Sequence, residues 1–125
     1  MKLLVVGGAA QGKLDYVRHR YAPRRIVDGG SCPLEEAFSG DALNHFHLLV
    51  RRLMAENRDP VEFVEHALEP LEHWMILCDE VGSGVVPIDV FERQWREQVG
   101  RICCILAQKA DQVERLCCGI AQRLK

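Results

Sequence analysis

No stretch of this 125-residue chain approaches the ~20 consecutive apolar residues that cross a bilayer. There is no excess of one charge either. Sixteen basic against 18 acidic residues leave a formal net charge of −2, which argues against a protein held to nucleic acid or to an anionic membrane by bulk charge. No linker, low-complexity segment, heptad run or internal repeat breaks the chain, so one domain covering residues 1–125 is expected. None of the six cysteines (32, 78, 103, 104, 117, 118) forms C-x-x-C, which disfavours a zinc or disulfide framework and favours small buried thiols. The start, MKLLVVGGAA, imitates a signal peptide, but its apolar run is short and is interrupted by Gly7-Gly8. A buried first strand ending in a glycine turn explains it better, and the expected compartment is the cytoplasm.

What is present reads as alternating strands and helices. Residues 2–6 are apolar on both faces, as a central parallel strand requires. A helix is expected from about residue 12 to 21, a short strand over 25–28, and a helical turn opened by Pro33. Asp41 looks like the N-cap of a helix carrying Leu43, Phe46, Leu49, Val50 and Leu53 at helical spacing. Asp59-Pro60-Val61-Glu62 combines an N-cap, proline at the first helical position and an early acid, and starts a helix to about residue 68. WMILCD, 74–79, is another buried strand. Asp89 and Glu92 open a long helix whose apolar face is Phe91, Trp95, Val99, Ile102 and Leu106. Gly100 inside it asks for a packing or functional reason. Residues 113–118 form a last strand. The expected fold is α/β, a P-loop-like three-layer domain with a mainly parallel sheet of about four strands.

Gly7-Gly8-Ala9-Ala10-Gln11-Gly12-Lys13 is G-x-x-x-x-G-K between an apolar strand and a helix. Glycines let the backbone wrap a phosphate, successive N–H groups point inward, and the lysine reaches the terminal phosphates. ATP or GTP is therefore the expected ligand. The next residue, where Ser or Thr would hold Mg²⁺, is Leu14, which cannot ligate a metal. Asp79 and Glu80, at the end of an apolar strand, are the candidates for organising Mg²⁺ and for orienting a hydroxyl. Asp28 ends another strand and is expected to face the same crevice. The five histidines show no chelating spacing and read as solvated or structural. The basic cluster Arg18, His19, Arg20, Arg24 and Arg25 reads equally well as a rim of the phosphate site or as a solvated helix end.

GGAAQGK resembles the GGARSGKS loop of the adenosylcobinamide kinase/adenosylcobinamide-phosphate guanylyltransferase family of cobalamin biosynthesis. Glu80-Val81-Gly82-Ser83-Gly84-Val85-Val86-Pro87 resembles that family's NEVGxGIVP segment, and Arg93, Arg96, Gly100-Arg101 and Ala110-Asp111-Gln112-Val113 continue in step with it. The resemblance implies a P-loop nucleotide-binding fold and phosphoryl transfer to a corrinoid. It also implies Lys13 and Glu80 as catalytic groups, and Gly82, Ser83, Gly84 and Pro87 as a substrate loop. The middle of the chain is shorter than in the family. The H-x-x-R-P stretch near its guanylylated histidine has no counterpart, so no covalent histidine is carried over. Three readings stand: a kinase of the cobinamide type, a nucleotide-binding sensor or assembly module without chemistry, and a scaffold using the long helix with Cys103 and Cys104 in an interface. A homo-oligomer is left open.

Overall fold

A computed structural model describes residues 1–82 and 88–125. Ser83, Gly84 and Pro87 of the expected substrate loop lie outside the described residues. The strands are β1 (Lys2–Gly7), β2 (Ile26–Asp28), β3 (Ala42–Asn44), β4 (Trp74–Asp79), β5 (Gln112–Cys117) and β6 (Ile120–Arg123). They form one sheet in the order β2-β3-β4-β1-β5-β6, parallel throughout except for the antiparallel β5–β6 pair. The helices among the described residues are α1 (Lys13–Arg20), α2 (Phe46–Ala55), α3 (Pro60–Leu68) and α4 (Val90–Lys109), with a 3-10 turn at Leu34–Glu36. No described helix is long and apolar enough to cross a membrane.

β1 is central, and strand alternation divides its side chains between two apolar clusters. Leu4 joins Ile76, Phe46, Leu49, Ile102 and Leu106 under α2, α3 and α4. Leu3 and Val5 join Val17, Leu77 and Leu116 under α1. The caps read from the sequence form as expected. Asp59 accepts from the N–H groups of Val61 and Glu62, with Pro60 in the first turn. Asp89 accepts from Glu92 N–H.

Two strands exceed the four expected. The helix anticipated from Asp41 begins only at Phe46, because Ala42 and Leu43 are buried in β3 between β2 and β4. Asp41 does not cap a helix; its carboxylate accepts from the N–H groups of Arg24 and Arg25. Long-range strand pairing wins over local helical periodicity here. His45, in left-handed conformation at φ 57°, makes the corner between β3 and α2. The second addition is β6. Cys118 (φ 52°) and Gly119 (φ 77°) make a two-residue turn with both central residues at positive φ, which suits the twist of a tight hairpin.

Candidate functional site

The register of β1 and β4 sets Asp79 opposite Gly7, the first residue of the glycine loop. A side chain at Gly7 would meet the Leu116 carbonyl oxygen of β5 at 2.6 Å, so only glycine lets the loop leave the sheet there. Gly12 sits at φ 88° as the residue before α1, which turns the helix N-terminus toward the loop. Gln11 ties the loop down from outside: its backbone carbonyl accepts from Gly119 N–H at 2.9 Å and its side-chain Oε1 from Cys118 N–H at 2.6 Å. The β5–β6 hairpin thus braces the glycine loop.

Lys13 is only 7% exposed. Its Nζ donates to the carbonyls of Gly8 (2.8 Å) and Gly7 (3.2 Å) and pairs with Asp79 Oδ1 at 2.7 Å. This buried ammonium lies inside the loop it follows. Leu14 faces the apolar cluster of α1 as well as the cleft, so its position is one of packing and supplies no hydroxyl. The cleft, about 490 Å³, is lined by residues 9–15 together with Asn44, His45 and Asp79. Ala9, Ala10, Gln11, Gly12, Lys13 and Leu14 are thereby brought together as the sequence suggests, and Gly7 and Gly8 stand behind them through their bonds to Lys13.

Glu80 is placed differently from Asp79. Its carboxylate is bound bidentately by Arg115 of β5, at 2.9 and 3.2 Å. It borders a second cavity of about 390 Å³ with Asp79, Gly82, Val99, Gly100 and Cys103. Asp79 lies between the two cavities. Asp28 reaches the cleft through His45, whose Nδ1 is 2.9 Å from Asp28 Oδ1. Burial opposes the charge on Asp28, but the bonds from His45 and from Gly30 N–H outweigh it and hold the carboxyl below its ordinary value.

The histidines depart most from expectation. His47, in the first turn of α2, is 6% exposed. Its Nδ1 accepts from Asp79 N–H at 3.2 Å, and its Nε2 lies 3.4 Å from Asp79 Oδ2. A ring nitrogen that accepts carries no proton, so His47 is the neutral Nε2–H tautomer, aimed at the carboxylate. Burial, set against the attraction of Asp79 and aided by His45 and Lys13, lowers its pKa below the ordinary 6.5. His45 meets its ring edge-on at 5.7 Å. The two rings meet because His45 belongs to the corner and His47 to the helix. The signal in the sequence was Asn44-His45, two residues tolerant of left-handed backbone between an apolar pair and a helical run.

Other expectations resolve simply. Arg18, His19 and Arg20 form the last turn of α1, the end away from the loop, so that part of the basic cluster is a helix end and no rim. Cys103 faces inward, its Sγ 3.6 Å from Cys78 Sγ, while Cys104 is exposed. The contact with Cys103 and then burial push the Cys78 thiol up, and the same contact lowers Cys103. No group of three or more His, Cys, Asp or Glu poised for a metal ion occurs among the described residues.

A family model described as cobinamide kinase / cobinamide phosphate guanyltransferase matches residues 43–124. A comparison with curated proteins returns no match. The matched stretch runs from β3 to β6. It takes in His45, Asp79, Glu80 and Gly82, and begins after the glycine loop. It spans well over half of the sequence, and the chain belongs to the cobinamide kinase / cobinamide phosphate guanyltransferase family.

Proposed function

We propose that the protein binds the phosphates of ATP or GTP through the backbone of residues 8–13 and the side chain of Lys13, and transfers a phosphoryl group to a cobinamide. The observation that carries this reading is the Lys13–Asp79 pair, set by the β1–β4 register at the mouth of the loop. A buried ammonium already held among loop carbonyls needs little rearrangement to meet a phosphate. The nucleotide's charge then replaces Asp79 as its partner and releases that carboxylate. The helix N-terminus behind Gly12 adds its positive end.

Mg²⁺ commonly binds through one or two carboxylates plus the phosphates themselves. Asp79 suits that role, and Asp15 borders the same cleft. When bound, Mg²⁺ neutralises charge on the transferring group. Leu14 contributes nothing to it. His47 Nε2–H keeps Asp79 oriented when Lys13 turns to the phosphates. The acceptor is proposed to enter the cleft from the side of Asn44 and His45, opposite residues 9–15.

A second reading, nucleotide binding without chemistry, is favoured by the packing of Leu14 into the apolar cluster. Two measurements separate them. A thermal scan with ATP, GTP and GDP is expected to raise Tm by several degrees, since ligand at 100 times Kd adds about 2.7 kcal/mol. Lys13→Ala is expected to abolish the rise. Labelled phosphate transfer from ATP or GTP to cobinamide then supports the kinase; a thermal shift with no transfer supports the binding module. No shift with any nucleotide removes both. In the kinase reading Mg²⁺ tightens binding and Asp79→Asn cancels that gain.

A further inference from the structure

We infer that His45, held by Asp28, is the proton acceptor for the hydroxyl that attacks the phosphoryl group. The inference deepens the proposed phosphoryl transfer and rests on it.

Four observations converge. His45 lines the cleft that holds Lys13 and Asp79. Asp28, kept ionised, can only accept, so the 2.9 Å contact makes His45 the Nδ1–H tautomer and leaves the lone pair on Nε2. The ring is 42% exposed, which keeps Nε2 within reach of an incoming group. The backbone fixes the residue in a conformation costly for most side chains: φ is 57°, and the carbonyl of His45 would lie 2.8 Å from a side-chain carbon at Gly29. Strain of this kind is retained where surrounding contacts over-determine it. Here Gly29 N–H bonds Asn44 O at 2.8 Å, and Gly30 N–H bonds Asp28 Oδ1 at 2.8 Å. The β2 and β3 ends are thus locked together around the Asp28–His45 pair.

The neighbouring histidine is unsuited to the task. His47 has its Nδ1 on Asp79 N–H and its Nε2–H toward a carboxylate, so it has no lone pair to offer. The charged and titratable groups around His45 are Asp28 on β2, His47 on α2, Asp79 on β4, and Lys13 and Asp15 on α1.

The step balances as follows. The acceptor oxygen forms a bond to the γ-phosphorus, and the bond from that phosphorus to the bridging oxygen breaks. The nucleoside diphosphate leaves with those electrons, and the hydroxyl proton passes to His45 Nε2. The resulting imidazolium is stabilised by Asp28 and returns its proton to solvent after release.

The test uses the full chain. His45→Asn and His45→Gly both tolerate the left-handed backbone, so the fold is retained. Both are expected to keep the thermal shift with ATP and to lose about a hundredfold or more in kcat for cobinamide phosphorylation. Added imidazole is expected to restore turnover in His45→Gly only. Loss of the ATP shift in both His45 variants overturns the inference, because the residue then serves binding. Wild-type turnover matched by His45→Asn overturns it while sparing the kinase reading. A wild type that binds ATP and transfers no phosphate overturns both.

Discussion

The two faces of the sheet are covered unequally. Three helices, α2, α3 and α4, bury one face in a large apolar cluster around Phe46, Leu49 and Leu53. Among the described residues the eight-residue α1 is the helix on the other face, where five buried residues form the centre of a smaller cluster. A polar assembly supplements them: Glu114 of β5 is 2% exposed and accepts from the hydroxyls of Tyr16 and Tyr21 and from Gln112 Nε2. The thick face is held by hydrophobic burial, which is tolerant of small shifts. The thin face depends on hydrogen bonds to a buried acid, which are not. The glycine loop opens the thin-face helix, so the loop is anchored to the less forgiving half, with Gln11 and the β5–β6 hairpin as its second support.

The largest effect that separates the faces is expected from Phe46→Ala. The ring is fully buried beneath α2, and its loss should cost about 3–5 kcal/mol, read as a lowered urea midpoint. A loss below about 1 kcal/mol would show that the thick face does not carry the stability.

Next is Tyr21→Phe, which removes one of the donors to Glu114 and should cost about 1–3 kcal/mol. Burial, then the hydrogen bond to Glu114, raises the Tyr21 phenol above its ordinary 10. A raised acid in the folded state disfavours ionisation there, so stability is complete below pH 10 and falls as pH climbs above it. The wild type should lose more stability than Tyr21→Phe between pH 10 and 11; parallel curves would remove the argument.

The thick face has the opposite pH signature. His47 has a lowered pKa, so the unfolded chain takes its proton first as pH falls. Stability is complete above pH 6.5 and declines below it, by at most about 1.4 kcal/mol per unit. His47→Gln should flatten that acid-side decline in denaturant titrations at pH 5 to 7. The two faces would then fail at opposite ends of the pH scale.

The smallest effect is expected at Gly100. Among the described residues nothing lies within 4 Å of a side-chain carbon placed there, so the glycine has no packing reason. Gly100→Ala should raise stability by about 0.5–1 kcal/mol through helix propensity alone. A lowered Tm would show that the glycine has a packing role after all.

The caps at Asp59 and Asp89, the apolar strands β1 and β4, the glycine loop and its lysine were legible in the amino-acid order. Each depends on neighbours within a few positions: an Asp before Pro60, an N–H three residues on, a run apolar on both faces. The sequence also carried the family, through the segment after β4, which lies within the stretch 43–124 that the family model matches. The rest depends on contacts between distant residues. Ala42–Asn44 reads as helix until β2 and β4 claim it as a strand. His47 reads only as solvated or structural until β4 brings Asp79, 32 positions away, onto its ring. Asp79 and Glu80, adjacent and chemically alike, part company because one lies opposite Gly7 and the other meets Arg115 on the far side of β1. Local propensity wrote the elements; parallel pairing across the sheet decided which side chains share the cleft, because strand register sets side-chain neighbours that no short window of sequence contains.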